Sequence, residues 1–184
     1  MRPSLDKIIK KCRKNDRQAQ SDLYHHCFDY LLSICFRYRR QREDAVSLLN
    51  DAFLKILLNI NDYDGRKEFL PWAATITVRT AIDEHRRNHQ YRSKTELKAK
   101  DEDFETNFEH LIDQLSAEEV QEMIFSLPEK ERMVFSLFEW EGYQHQEIAQ
   151  MLDCSERSCK RYLAKAKELL KAKLEKKQDL KRVI

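Results

Sequence analysis

The chain has 184 residues, with two glycines, three prolines and 36% charged residues. That length allows one large domain or two small ones, and the composition favours long helices with few turns. The net charge of +2 hides a strong segregation. Residues 155–184 hold eleven Lys/Arg against four Asp/Glu, and residues 96–122 hold two Lys against ten Asp/Glu. Such blocks point to a nucleic-acid surface at one end and a solvated acidic stretch in the middle. Two glycines cannot build a phosphate-cradling loop, no nucleophile motif is present, and no catalysis is expected.

Leu5, Ile8, Ile9 and Cys12 mark a short first helix. Tyr24, Cys27, Phe28, Leu31, Ile34, Cys35 and Tyr38 recur at spacings of three and four, predicting a helix from about residue 19 to 40. Leu48, Leu49, Ala52, Phe53, Ile56, Leu57 and Ile60 repeat the pattern until Asn61-Asp62-Tyr63-Asp64-Gly65 breaks it. A fourth helix runs from Phe69 to about Asn88, with Pro71 in its first turn, where a missing N–H does no harm. These helices suffice for a bundle spanning 1–92. Residues 93–115 read as an acidic linker, with a short helix near Phe108 to Leu115.

A second helical domain, 116–184, opens at Ser116-Ala117-Glu118-Glu119, which fits a capping box. Val120, Met123, Ile124 and Leu127 form its first apolar stripe. Pro128 opens a helix carrying Met133, Val134, Leu137 and Phe138. Next comes Gly142 to Ser155, a short helix and a tight turn, followed by a long basic helix. The pattern is a helix-turn-helix, a device that places its second helix in a DNA major groove. Ser155 suits the N-cap, and Cys159, Tyr162, Leu163, Ala166 and Leu170 are the expected buried face. Glu156, Arg157, Ser158, Lys160, Arg161 and Lys165 are the expected DNA face. Arg157 and Arg161, one turn apart, suit bidentate contacts to guanine, and Glu156 suits a cytosine amine. Lys165 and Lys167 suit phosphates, which fix position without reading sequence.

A second basic and aromatic surface surrounds Trp72, itself read as core. Arg79, Asp83 and Arg86 share a helical face, and Arg87, His89 and Arg92 extend its charge. The loop Asp64-Gly65-Arg66-Lys67-Glu68 precedes it and suits the capture of an unstacked base. His85 and His89 stand at i, i+4, but the run Glu84-His85-Arg86-Arg87-Asn88-His89 is not HExxH, and the arginines repel a cation. No metal and no cofactor are expected. The five cysteines contain no CxxC pair and read as reduced thiols. No signal-peptide core or membrane-spanning run is seen, so the expected location is the cytoplasm without membrane insertion.

Both halves, in order, resemble one family: the extracytoplasmic-function (group IV) sigma factors of the sigma-70 family. Glu43-Asp44-Ala45-Val46-Ser47-Leu48-Leu49-Asn50-Asp51-Ala52-Phe53-Leu54-Lys55 resembles part of the family's region 2. So does Phe69-Leu70-Pro71-Trp72 with Ile76 and Ala81-Ile82-Asp83-Glu84-His85-Arg86-Arg87. Leu127 to Phe135 and the helix-turn-helix resemble its region 4. The resemblance implies an all-α protein, with a region 2 bundle and a region 4 helix-turn-helix domain joined by the acidic linker. It implies a non-enzymatic initiation subunit that binds core RNA polymerase, directs it to promoter DNA and assists duplex opening. By resemblance, Leu49, Asn50, Asp51, Leu54 and Lys55 meet the β′ clamp helices, and Phe135 and Phe138 meet the β flap. Asp64, Arg66, Lys67, Arg79, Asp83, Arg86 and Arg87 belong to the surface that melts and captures the downstream promoter element. Glu156, Arg157, Ser158, Lys160, Arg161 and Lys165 belong to the reader of the upstream element. An anti-sigma factor is a further implied partner. The acidic linker resembles the segment near the polymerase cleft and RNA exit path.

The chain departs from the family at Val46 and Ser47, where acidic residues are usual, at Arg79 for Asn, and at Asp153 for a turn Gly. Arg157 and Arg161 replace smaller residues, so no promoter sequence transfers. The residues alone also fit a dimeric helix-turn-helix repressor or activator, or a mimic that titrates an anti-sigma factor.

Overall fold

The computed structural model describes residues 4–90 and 116–182, without side chains at 88–90, 117–118 and 177–182. The expected linker 93–115 and its short helix lie outside the described residues. The chain divides into two compact units, Met1–Arg92 and Ser93–Ile184. Every regular element among the described residues is helical.

The first unit packs α1 (Leu5–Cys12), α2 (Arg17–Tyr38), α3 (Arg42–Leu58) and α4 (Phe69–Gln90). Asp16 caps α2 by accepting from the Ala19 N–H at 2.9 Å. Asn15, at φ 57°, makes the preceding turn, a conformation its short polar side chain tolerates. Helices α2, α3 and α4 each pack on the other two, and α1 closes against α2. Leu23, Cys27, Leu31, Leu48, Leu49, Ala52, Ile56, Ala73, Val78 and Ala81 are buried at their centre. Thr77 and Thr80 are buried too. Their hydroxyls donate to Ala73 O at 3.0 Å and Ile76 O at 2.8 Å, which satisfies them within the helix.

The second unit holds α5 (Ala117–Phe125), α6 (Glu129–Phe135), α7 (His145–Leu152) and α8 (Glu156–Arg182). The capping box of α5 is formed: Glu119 N–H donates to Ser116 Oγ at 3.2 Å, and Ser116 N–H to Glu119 Oε2 at 2.9 Å. The helix opened by Pro128 does not continue regularly through Phe138. It widens into a π turn over Ser136–Trp140, closed by Glu141 N–H to Ser136 O at 3.3 Å. The widened turn leaves the Ser136 hydroxyl buried without a hydrogen-bond partner. Buried Leu137, Ile148, Cys159, Leu163, Ala166 and Leu170 belong to the core of this unit. Tyr162, expected in that core, is half-buried at its edge.

Asp153 ends α7 in the left-handed conformation, φ 53° and ψ 51°, where the family pattern has Gly. Left-handed backbone costs ordinary residues roughly 1–2 kcal/mol, and Gly escapes it at an entropic cost of roughly 0.5–1 kcal/mol. Asp153→Gly is therefore expected to stabilise the second unit, by about 0.5 kcal/mol. Urea unfolding followed by circular dichroism measures the shift.

Candidate nucleic-acid interface

The N-terminus of α8 is fixed by its own side chains. Ser155 Oγ accepts from Ser158 N–H at 3.0 Å, and the two hydroxyls lie 2.8 Å apart. Ser158 is only 7% exposed. It is a correction to the expected DNA face: its hydroxyl completes the cap and turns inward. Glu156, Arg157, Lys160 and Lys165 are exposed. Glu156 pairs with Lys160 at 3.0 Å, one turn on. The Arg161 guanidinium lies over the Tyr162 ring, 5.2 Å from its centroid, which holds it to the helix surface. Lys165 pairs with Glu168 at 3.0 Å. Lys167 is drawn to Glu139 of the π turn at 2.9 Å and lies over Phe138.

Phe135 is a second correction. It is 5% exposed and part of the core of its unit, which leaves little of its ring for a partner. Phe138 is half-buried, with the His145 ring 4.6 Å away. Burial, then the Lys160 charge, lowers the His145 pKa.

In the first unit, the loop after α3 is tied at several points. Tyr63 Oη donates to Lys67 O at 2.7 Å, and Arg66 N–H to Asp64 Oδ1 at 2.9 Å. The Arg66 and Asp64 side chains pair at 3.2 Å, and Gly65 takes φ 77° at the tip. The sequence reading missed Arg13. From the end of α1, its guanidinium donates to Ile60 O at 3.3 Å and to Tyr63 O. These partners are 47 and 50 residues away, a separation no local pattern reports.

Trp72 is half-buried, not core, with Tyr63 at 5.3 Å and Phe69 at 5.4 Å between ring centroids. From it, Arg79, Asp83 and Arg86 continue along one helical face, all exposed, and Arg87 is exposed beside them. The stripe from Trp72 to Arg86 is about 21 Å long at 1.5 Å per residue. An aromatic ledge with a flanking row of guanidiniums suits a single strand, whose bases stack while its phosphates pair. Asp83 also meets Lys55 at 2.9 Å, joining α3 to this face. His85 is buried, so it is turned away from this face.

Arg13→Ala is expected to release the loop. Amide exchange at residues 61–67 should quicken. Unaltered exchange would show that Arg13 does not hold the loop.

On α3 the residues expected to meet polymerase divide. Leu49 is 0% exposed, a third correction: it belongs to the bundle core. Asn50 and Asp51 are exposed, Asn50 accepting from Tyr24 Oη at 2.8 Å. Leu54 is 58% exposed and Leu58, one turn on, 72%. Leu58 was not among the expected contacts, although its i, i+4 spacing from Leu54 was a signal that could have found it.

The fold and these surfaces define an all-helical protein with a helix-turn-helix and a second basic, aromatic face. The family model described as ECF sigma factor matches residues 3–176, and the chain belongs to that family. It is 25% identical to the RNA polymerase sigma factor YlaC of Bacillus subtilis over 171 residues, covering 91% of this chain and 98% of that one. It is also 25% identical to the ECF RNA polymerase sigma-E factor of Escherichia coli over 181 residues, covering 91% and 93%. Among solved structures, the sigma factor RpoE of Bartonella quintana, in complex with the anti-sigma factor NepR, shares the fold. Its TM-score is 0.50 at 14% identity, over 85% of this chain and 96% of that one. No helix among the described residues is long and apolar enough to cross a membrane.

Proposed function

We propose that this sigma factor recruits core RNA polymerase to promoters through two separate surfaces and assists duplex opening without catalysis of its own. In this reading residues 1–92 are the region 2 domain, 93–115 the linker and 116–184 the region 4 domain. Helix α8 reads the upstream element with Arg157, Arg161 and Glu156, and Lys160 and Lys165 neutralise phosphates. The Asp64–Glu68 loop, with Arg66 and Lys67, and the row Arg79, Asp83, Arg86 and Arg87 hold the melted downstream element. Differential binding to the opened strand supplies the bias, so no nucleotide hydrolysis by this chain is needed. Asn50, Asp51, Leu54, Lys55 and Leu58 meet the β′ clamp helices, and Phe138 meets the β flap. Family membership supports an anti-sigma factor as a further partner and the cytoplasm as the location.

One observation carries this reading. Besides the capped basic helix, the chain displays a second, unrelated surface: Trp72 on Tyr63 and Phe69, with exposed arginines along the same helix. A duplex-binding repressor has no use for it. The test is abortive transcription with bacterial core polymerase, with and without this protein, on a library of promoter fragments. Protein-dependent transcripts from fragments sharing two spaced motifs are the expected result. No transcripts, together with tight binding of the protein alone to a palindromic duplex, would replace this reading with that of a dimeric repressor.

A further inference from the structure

The five cysteines fall into two kinds. Cys12, Cys27 and Cys35 are buried within the first bundle, and burial pushes the Cys27 and Cys35 thiols up to about 12. They are inert packing groups. Cys154 and Cys159 differ: their sulfurs lie 3.3 Å apart, and Cys154 is only half-buried. They bracket the N-cap of α8. Cys154 precedes Ser155, its N–H donating to Ala149 O at 3.0 Å, and Cys159 N–H donates to Ser155 O at 3.0 Å. Glu156 and Arg157, the first residues offered to DNA, lie between them.

We propose that Cys154 and Cys159 are a reversible oxidation site, at which a peroxide links the two sulfurs and so weakens duplex binding by α8. The inference rests on the reading of α8 as the promoter reader. Cys154 is the more accessible sulfur. As thiolate it attacks one peroxide oxygen; the O–O bond breaks, the departing hydroxide takes up the proton Cys154 had released and leaves as water, and Cys154 becomes a sulfenic acid. The Cys159 sulfur then attacks the Cys154 sulfur, the S–O bond breaks, and the departing hydroxide takes the Cys159 proton as a second water. The two thiols lose two protons and two electrons, and the peroxide becomes two waters. The hydrogen bond with Cys154, then burial, holds the Cys159 pKa above its ordinary value, so the first attack on peroxide falls to Cys154.

The geometric consequence follows from bond length. A disulfide spans about 2.05 Å, so the sulfurs must close by more than about 1 Å. Cys159 sits in the packed core of its unit, so the movement falls on Cys154 and the turn. That turn sets the direction of Arg157, whose fork reads a base edge only at hydrogen-bond geometry.

The test uses the full chain, reduced or treated with hydrogen peroxide. Peptide mass after proteolysis reports the link, and fluorescence anisotropy on a duplex carrying the upstream motif from the transcription screen reports binding. The expected result is a peptide pair joining Cys154 and Cys159, lighter by two hydrogens, with affinity about tenfold lower and restored by dithiothreitol. Cys154→Ser should bind the duplex like the reduced chain and ignore peroxide. Absence of the linked peptide overturns the inference whatever the DNA result. A linked protein with undiminished affinity, or Cys154→Ser losing affinity to peroxide as the parent does, overturns it as well. Failure of the reduced chain, with polymerase, to recognise any duplex would instead overturn the reading of α8, and the peptide mass would still decide the oxidation site.

Discussion

Replacing Leu54 and Leu58 together with Asp is expected to weaken binding to core RNA polymerase about a hundredfold and to leave the thermal midpoint of the protein unchanged. The two side chains are 58% and 72% exposed on α3, one turn apart, and touch little of their own bundle. Among the described residues the only other large apolar side chain so exposed is Tyr30, on α2. Two adjacent leucines rimmed by Asp51 and Lys55 form an apolar spot with a polar border, the usual anatomy of a docking site. Burying a leucine contributes about 1.5–3 kcal/mol, so losing two and inserting two carboxylates readily accounts for a hundredfold. Leu49→Ala is the necessary contrast. That side chain is 0% exposed, so its truncation leaves a cavity and costs about 2–5 kcal/mol of stability. Polymerase affinity of the folded Leu49→Ala fraction should be unaltered. Titration of labelled protein with core polymerase, beside a thermal melt, separates the two effects. Unchanged affinity of the Leu54, Leu58 double variant would place the clamp contact elsewhere.

The same pair explains how far the sequence could be read. Leu49 and Leu54 are both apolar residues of α3, and helical periodicity marks where the helix is without saying which part of a wide stripe its neighbours cover. Only the placement of α2 and α4 covers Leu49 and leaves Leu54 open. Local chemistry was legible wherever it was self-contained. The Ser116 capping box, the Ser155 cap and the left-handed Asp153 each need a few consecutive residues and no partner element. Ser158 misled for the opposite reason: its position on the helix suggests a base contact, but its hydroxyl lies against Ser155 Oγ. The π turn over Ser136–Trp140 has no pattern of its own: Ser-Leu-Phe-Glu-Trp reads as ordinary helix. Arg13 on Ile60 and Tyr63, and Lys55 on Asp83, are tertiary pairings between residues whose spacing carries no signal.

Arg157→Ala is expected to lower affinity for the upstream promoter duplex about ten- to a hundredfold and to relax base preference at one position. Arg157 is exposed in the first turn of α8, the part of a recognition helix that enters the groove. The Ser155 cap fixes the backbone from which it projects, so little conformational freedom is lost when its fork meets a base. Arg161→Ala should cost less overall, because that guanidinium is half-buried on the Tyr162 ring and must keep or leave that contact to reach DNA. Lys165→Ala should act differently again: affinity falls evenly across sequences, and the slope of log affinity against log salt drops by about 1. The three outcomes separate base reading from charge, which a single loss of binding would not. Polymerase affinity must stay constant throughout, since the α3 surface lies in the other unit and Phe138 is left in place. If Arg157→Ala weakened polymerase binding as much as promoter binding, the effect would come from misfolding or from a polymerase contact, and α8 would lose its assignment as reader.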